Sequence, residues 1–298
     1  MTFSAQVKRE LCKVPIENAV DALAELSGVA LFANAFDARA LRVVTASEEF
    51  AKRASRLLKN LFGFDFDRKI IPQSGVKKYS LSLDARDKLA VIFDALGFDL
   101  QTTHVLRLNA ALVEDDRARA AFVRGAFLTG GSVSDPESTY HFELVTSHYQ
   151  LSREVLALLR ELDVAANCVA RKGNHVVYCK ESGAIEDLLT RIGAPLSAMA
   201  MMEQKMFKEL RNTVNRKVNC ETANLTKTVD AAAQQLHAIE RLELDALPTP
   251  LREAAEARIN NPEATLSELC EILGKTVSKS GLNHRYRKLC AMAEEGKQ

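Results

Sequence analysis

An internal repeat constrains this chain more than any other feature, because two segments about one hundred residues apart share one pattern. Each segment opens with an apolar, small-residue run that has a glycine inside it, Gly28 in the first and Gly125 in the second. Each run is followed by a short strand-like stretch that ends in Val-Thr, at Thr45 and at Thr146. The repeat predicts two similar halves.

The rest of each copy continues in the same order. An amphipathic helix is predicted next, then a pair of strands, then a short helix that a glycine ends. The predicted elements are the helices Glu48–Phe62 and Gln150–Leu162, strands including Tyr79–Leu83 and His175–Cys179, and the helices Asp87–Leu96 and Ile185–Ile192. We therefore predict an α+β fold, a duplicated αββαββα domain with a pseudo-twofold axis at residues 1–206, with copies at about 15–100 and 112–197.

The two interior glycines need an explanation, since glycine inside a helix costs about 0.5–1 kcal/mol relative to alanine. One interpretation is that Gly28 and Gly125 form the interface of a helix pair whose backbones touch at the pseudo-twofold axis. The other is that each is a chance glycine in a core helix. Their recurrence at equivalent places favours the helix pair.

Composition excludes several classes of protein. The 298 residues have 47% hydrophobic and 27% charged side chains with a net charge of +1, which excludes a mostly disordered chain and a uniformly basic nucleic-acid coat protein. The six cysteines form no C-x-x-C pair, so zinc-ribbon and thioredoxin-type sites are not expected. No apolar leader is visible in residues 1–13 and no uncharged run is long enough to span a bilayer. We expect a cytoplasmic protein with no membrane partner.

A local basic segment appears after the repeat. Residues 205–227 contain six basic and two acidic side chains, and residues 207–247 are predicted to form a basic linker or helix. One interpretation is a solvated helix face, and the other is contact with phosphates. The candidate DNA-binding residues in this segment are Arg216, Lys217, Asn224 and Lys227.

The C-terminal region, residues 248–298, contains start and end signals for three helices. Thr249 is a predicted N-cap before Pro250, and Asn261-Pro262 ends that first helix. A capping box at 265–268 opens a second helix, which Gly274 ends, and a turn leads to a third helix at Lys279–Glu294. A short helix, a tight turn and a longer basic helix predict an all-α helix-turn-helix domain.

The third helix divides into two faces. A stripe of Leu282, Tyr286, Leu289 and Ala293 is predicted to be buried. Polar and basic side chains cover the rest, and no acidic residue occurs between Lys275 and Leu289. We predict base-edge contacts from Ser280, Asn283 and His284, and phosphate contacts from Lys279, Arg285, Arg287 and Lys288.

The two glycine-containing helices resemble the paired helices of the LAGLIDADG homing endonucleases. In that family each helix ends in an acidic residue, and the two acids hold divalent metal for DNA cleavage. Here the aligned positions are Ala33 and Gly130, neither of which can bind a metal. Asp37 and Asp135 lie a few residues further on, where turn chemistry accounts for them. We expect no cleavage activity, no metal and no cofactor.

Over nearly its whole length the chain resembles the WhiA family of bacterial transcriptional regulators. Three segments carry the resemblance, at residues 127–136, 215–228 and 278–289. It implies a catalytically inactive LAGLIDADG-like domain joined to a helix-turn-helix that binds promoter DNA at the nucleoid. It also implies a role in cell division and chromosome segregation, sporulation in some relatives, and a second regulatory protein as a partner of the N-terminal domain.

Two other classes of function stay open from the residues alone. The first is an active endonuclease or RNA maturase on the same scaffold. The second is a protein-interaction adaptor whose basic helix binds an acidic partner.

Overall fold

The computed structural model describes residues 2–71, 78–102 and 105–295. The chain divides into two compact units, Met1–Phe207 and Lys208–Gln298. The first unit contains both copies of the repeat. A long helix, Pro195–Ile239, begins in the first unit and ends in the second, which also contains the C-terminal helices.

Both copies of the repeat have the same order of elements. After the N-terminal helix α1 (Phe3–Leu11), the first copy consists of α2 (Ala19–Leu31), β1 (Ala35–Phe36), β2 (Leu41–Thr45), α3 (Glu48–Phe62), β3 (Arg68–Ile70), β4 (Tyr79–Leu83) and α4 (Arg86–Ala95). The second copy consists of α5 (Asp116–Gly130), β5 (Gly131–Val133), β6 (Phe142–Thr146), α6 (Tyr149–Glu161), β7 (Asn167–Arg171), β8 (Asn174–Cys179) and α7 (Ser182–Ile192). The predicted α+β fold with a duplicated αββαββα domain is confirmed.

Local sequence explains why these elements begin and end where they do, as α3 shows. The Ser47 side chain accepts a hydrogen bond from the Phe50 amide and caps the helix, with Glu48 in the first turn. Gly63 ends the helix at a φ of 75°, a left-handed conformation that glycine adopts without strain. Between these caps the apolar side chains recur at helical spacing and are buried, so α3 covers one face of its sheet.

Each copy contributes one four-stranded antiparallel sheet. The strand orders are β1-β2-β4-β3 and β5-β6-β8-β7, so the two sheets have the same topology. In the first sheet Leu41 pairs with Leu83 and Val43 with Leu81, and all four side chains are buried. In the second sheet Phe142 and Leu144 point inward in the same way. The helices therefore cover one face of each sheet and leave the other face outward.

The two glycines lie at the contact between α2 and α5. A Cβ atom at Gly28 would be 2.7 Å from the Ala126 backbone nitrogen, and one at Gly125 would be 3.0 Å from the Val29 backbone nitrogen. Each would also overlap a carbonyl oxygen of the opposite helix. The backbones touch at this point, so the helix-pair interpretation accounts for the cost of both glycines.

A buried charged cluster lies beside this helix contact. The Glu25 side chain is 1% exposed, and its carboxylate accepts hydrogen bonds from Arg53 at 2.5 and 2.7 Å and from Arg124 at 2.9 Å. Arg53 also donates to the Val14 carbonyl, and Arg124 to the Ile192 carbonyl. One carboxylate thus joins α2, α3 and α5 at the pseudo-twofold axis.

The second unit is entirely helical in the part that the structure describes. Its elements are the end of α8 (Pro195–Ile239), then α9 (Thr249–Asn260), α10 (Leu266–Ile272) and α11 (Lys279–Glu295). Its core is small and consists mainly of Ile239, Leu247, Leu251, Ala254, Leu269, Leu282, Tyr286 and Leu289. The segment predicted as a basic linker or helix is helical as far as Ile239.

Four predicted helix starts are late, by one residue for α4, α6 and α9 and by three for α7. Helix α9 begins at Thr249 with Pro248 as its N-cap, so Thr249 is not the N-cap and caps nothing with its side chain. The reason is that the Pro248 carbonyl accepts hydrogen bonds from both the Leu251 and Arg252 amides, which adds one residue to the first turn. The predicted capping box of Thr265 and Glu268 on α10 is confirmed. Across the described ranges, no helix combines the length and apolar character that crossing a bilayer requires.

Candidate nucleic-acid interface

The turn between α10 and α11 sets the direction of the third helix. Gly274 and Lys275 both adopt left-handed backbone conformations, at φ of 69° and 59°. The Ser278 side chain then accepts a hydrogen bond from the Gly281 amide at 3.2 Å, which caps the start of α11. The chain therefore reverses sharply within a few residues, as a helix-turn-helix requires.

The buried side of α11 consists of the four residues predicted for it. Leu282, Tyr286, Leu289 and Ala293 are each at most 4% exposed. The Tyr286 hydroxyl donates a hydrogen bond to the Ala254 carbonyl at 3.0 Å, and burial raises the pKa of this phenol. The hydrogen bond ties α11 to α9 and fixes its rotation about its own axis, so the opposite face is held outward.

The outward side of α11 contains most of the predicted DNA-binding residues. Lys279, Ser280, His284, Arg287 and Lys288 are exposed, and Asn283 is half-buried. Arg285 differs, because its guanidinium donates to the Pro250 carbonyl at 3.1 Å and lies 3.9 Å from the Glu253 carboxylate. Arg285 therefore holds α11 against α9, and its predicted contact with a phosphate stays a prediction.

Arg258 is a positioning residue that sequence reasoning missed. Its guanidinium is buried and lies 5.3 Å from the centre of the Tyr286 ring. It donates to the Gln235 side chain at 3.1 Å and to the Ala264 carbonyl at 2.5 Å, and its burial lowers its pKa. It thereby joins α8, α9 and the segment before α10. The only sequence signal was an arginine at helical spacing from Leu251 and Ala254, on the apolar side of α9.

The four candidate residues on α8 lie on one side of that helix. Arg216, Lys217, Asn224 and Lys227 are all exposed and fall within an arc of about 100° at 3.6 residues per turn. Neighbouring threonines are occupied locally, since Thr226 and Thr228 donate to carbonyls one turn earlier. Among the four candidates, the Asn224 amide also donates to the Cys220 sulfur at 3.8 Å, and the three basic side chains are exposed and can reach a phosphate.

The outward faces of the two sheets differ in charge. On the first, Arg42 and Arg68 lie on either side of Ser82, and Arg68 is paired with Asp84. On the second, Glu143 accepts hydrogen bonds from Ser132 at 2.8 Å and lies 3.2 Å from the His141 ring. Each sheet face therefore has an acidic side chain among its polar groups, whereas α11 has none from Lys279 to Lys288.

Neither of the two residues that we predict at the endonuclease acid positions is acidic. Ala33 follows the end of α2, and Gly130 is the last residue of α5. A Cβ atom at Gly130 would lie 2.8 Å from the Val145 carbonyl oxygen and 2.9 Å from the Phe32 ring. Any longer side chain would have to displace Phe32 or strand β6.

The two nearby aspartates have the turn role predicted for them. The Asp37 carboxylate accepts the Arg39 and Ala40 amides at 2.7 and 3.1 Å, and Asp135 accepts the Glu137 amide at 2.9 Å. Within the described ranges, no three His, Cys, Asp or Glu side chains lie close enough together to hold a metal ion.

Comparison with known proteins places these observations in a family. Residues 119–211 match the model of the WhiA LAGLIDADG-like domain, and residues 214–293 match that of the WhiA C-terminal HTH domain. The chain is 37% identical to the probable cell division protein WhiA of Clostridium botulinum over 100% of its own length and 99% of that protein. It is also 37% identical to the WhiA of Clostridium novyi, over 99% and 98% of the two chains.

Solved structures agree with the fold. Full-length DUF199/WhiA from Thermatoga maritima superimposes with a TM-score of 0.62 at 24% identity, covering 99% of each chain. The N-terminal LAGLIDADG domain of DUF199/WhiA gives a TM-score of 0.50 at 21% identity, over 64% of this chain and 92% of that one. By its full-length identity to curated relatives and its two domain matches, the chain belongs to the WhiA family.

Proposed function

We propose that this protein is a transcriptional regulator that binds promoter DNA sequence-specifically through α11. The observation that supports this most directly is the outward face of α11 from Lys279 to Lys288, which presents small polar and basic side chains and no acidic one, held in place by Tyr286 and Arg258. Helices of this kind enter the major groove, whose base edges they distinguish by hydrogen bonding.

The residues divide by role. Ser280, Asn283 and His284 come early in the helix and contact base edges. Lys279, Arg285, Arg287 and Lys288 contact phosphates, as do Arg216, Lys217, Asn224 and Lys227 on α8.

The repeat domain acts in this proposal as a scaffold without nuclease activity. Ala33 and Gly130 support this role, because neither provides a carboxylate and the space at Gly130 is filled by Phe32. The domain modulates DNA binding or contacts a second regulatory protein.

The biological setting is also part of the proposal. Curated relatives are named probable cell division protein, so we infer a role in cell division and chromosome segregation, with sporulation in relatives that sporulate. The protein then acts in the cytoplasm at the nucleoid.

The experiment that tests this proposal compares two substitutions in the full chain on genomic promoter fragments. Arg287→Ala is expected to weaken binding to all sequences alike and to reduce the salt dependence by roughly 0.9 in log K against log salt, because one phosphate contact is lost. His284→Ala is expected to lose about 1–3 kcal/mol on preferred fragments only, because a base contact is lost. His237→Ala, on the exposed surface of α8, is the matched control.

Three results would overturn the proposal. Unchanged affinity of both variants for every DNA would show that α11 is not the reading helix. Salt-independent binding, or binding only to an acidic protein, would favour the adaptor. Nicking of supercoiled plasmid in Mg²⁺ would show that the scaffold is an active nuclease.

A further inference from the structure

Helix α8 has an unpartnered apolar stripe in the second unit. Five large apolar side chains lie along it, each between 51% and 64% exposed: Leu210, Val214, Val218, Leu225 and Val229. Exposed apolar residues scattered singly are ordinary on protein surfaces. These five share one side of one helix over about 30 Å, at ~1.5 Å per residue, and a contiguous patch of that kind marks an interface.

The spacing along the stripe is regular. With Glu221 included, the steps between successive members are four, four, three, four and four residues. This is an eleven-residue pattern, which keeps side chains on one side of a helix and produces a right-handed supercoil when two helices pair. The stripe is therefore built like the contact face of a two-helix interface.

The stripe faces away from the basic residues already discussed. At 3.6 residues per turn, Arg216 and Lys227 point roughly opposite to its centre, and Lys217 lies along its edge. An occupant of the stripe would leave Arg216 and Lys227 exposed to DNA. Arg216 and Lys227 can thus contact DNA while the stripe is occupied, whereas Lys217, at the edge, serves one contact or the other.

The pattern itself indicates the occupant, because it is the same when the helix is turned end for end. In an antiparallel pair of two copies, Leu210 lies opposite Val229 of the second copy and Val214 lies opposite Leu225. Val218 then lies opposite Glu221 of the second copy. Every apolar member of the stripe except Val218 meets another apolar member, and it does so symmetrically, as a twofold axis requires.

Charge at the centre of the stripe selects the antiparallel direction. Parallel, in-register copies would place Glu221 against Glu221, two like charges within an apolar contact. In the antiparallel pair Glu221 lies beside Lys217 of the second copy, and the contact occurs twice about the axis. Within the described part of the chain neither side chain has an ion-pair partner. A single polar member of an apolar stripe commonly fixes the register and orientation of a helix pair.

We propose that two copies of this protein associate through an antiparallel pairing of α8 over Leu210–Val229, with Glu221 and Lys217 paired across the twofold axis. A stable interface buries roughly 800 Å² on each partner, more than five half-exposed side chains supply. The flanking polar residues therefore complete the contact, and the dimer dissociates on dilution. This association does not depend on DNA binding.

The first test is sedimentation of the full chain without DNA over a wide range of concentration. The mass is expected to rise from one chain, 32.9 kDa, towards two. Leu225→Glu is expected to keep it at one chain at every concentration, because a charge replaces an apolar contact on both sides of the axis. Asn212→Glu introduces the same side chain on the opposite side of the helix and is expected to leave the association unchanged. Circular dichroism checks that both variants remain helical.

The second test addresses the direction of pairing. Lys217→Glu and Glu221→Lys are each expected to weaken self-association at least tenfold, because each places like charges beside one another. An equimolar mixture of the two variants is expected to regain the wild-type mass, because both cross-axis pairs then have opposite charges. A chain that stays monomeric at all concentrations, or an association that Leu225→Glu leaves intact, would overturn the proposal. A mixture that stays monomeric would overturn the antiparallel pairing.

Discussion

The two units of this protein bury arginine in different surroundings. In the repeat domain, Arg53 and Arg124 share the Glu25 carboxylate, so two positive charges and one negative charge are removed from water together. In the helix-turn-helix unit, Arg258 is held by an amide, by backbone carbonyls and by the face of Tyr286, and within the described residues no carboxylate pairs with it. The buried arginines of the repeat domain therefore depend on a counter-charge, and that of the small helical unit depends on neutral hydrogen-bond acceptors.

This difference matters because the two arrangements should fail in different ways. Removing one partner of a buried ion pair leaves an uncompensated charge, which costs more than the pair itself contributes. Removing a guanidinium that neutral acceptors hold leaves carbonyls without a donor, which costs less. The comparison predicts a larger loss of stability in the repeat domain for the removal of a single charged group.

The largest effect is expected for Glu25→Gln. This change keeps the size of the side chain but leaves two guanidinium groups buried without a counter-charge, so we expect a loss of about 3–5 kcal/mol in the repeat domain. Hydrogen exchange measured on peptides from α2 and α5 reports the opening free energy of this unit separately from that of the other. Peptides from α9 to α11 should be unaffected.

Glu17→Gln is the matched control for this change. Glu17 is exposed and pairs with the exposed Arg117 at 3.3 Å, a type of pair that contributes little. Equal losses of opening free energy in the two variants would show that the buried cluster stabilises the repeat domain no more than an exposed ion pair does.

A smaller effect is expected for Arg258→Met. The methionine fills much of the space, but Gln235 and the Ala264 carbonyl lose their donor, so we expect a loss of about 1–3 kcal/mol in peptides from α9 and α10. Arg252→Met is the control: it lies on the same helix, its side chain makes no hydrogen bond within the described residues, and we expect a change within about 0.5 kcal/mol. A loss as large as that of Glu25→Gln would remove the distinction between the two units.

Much of the fold was predictable because it rests on local signals. Helix α3 was predicted at its observed bounds, since a serine cap, an apolar period of 3.6 and a closing glycine all agree there. The helix pair was predictable because Gly28 and Gly125 recur at equivalent positions. The start of α9 was missed by one residue, because the choice between Pro248 and Thr249 depends on which carbonyl the next amides reach.

The candidate interface was predictable only in part. The buried stripe of α11 follows from helical period alone, and it determines which side chains face outward. The contact of Arg285 with Pro250, and the whole environment of Arg258, depend on how three helices meet. A sequence pattern contains no information on such long-range contacts. It therefore cannot distinguish a basic residue that stabilises the domain from one that binds a phosphate.

The smallest effect concerns two threonines at the starts of neighbouring helices in the second unit. Thr265→Ala is expected to cost about 1 kcal/mol, because its side chain accepts the Glu268 amide in a capping box and no other group replaces it. Thr249→Ala is expected to change stability by less than about 0.5 kcal/mol, because Thr249 lies inside α9 and makes no capping hydrogen bond.

Hydrogen exchange of peptides from α9 and α10 measures both changes in one experiment. If Thr249→Ala lost as much stability as Thr265→Ala, Thr249 would be the N-cap of α9, and the helix would start one residue later. A loss at Thr265 alone would show that α10, the shorter helix and the one that precedes the turn into α11, depends on its cap more than α9 does. Since isolated helices of so few residues are marginal in water, the cap helps to keep α10 formed and thereby keeps α11 in place.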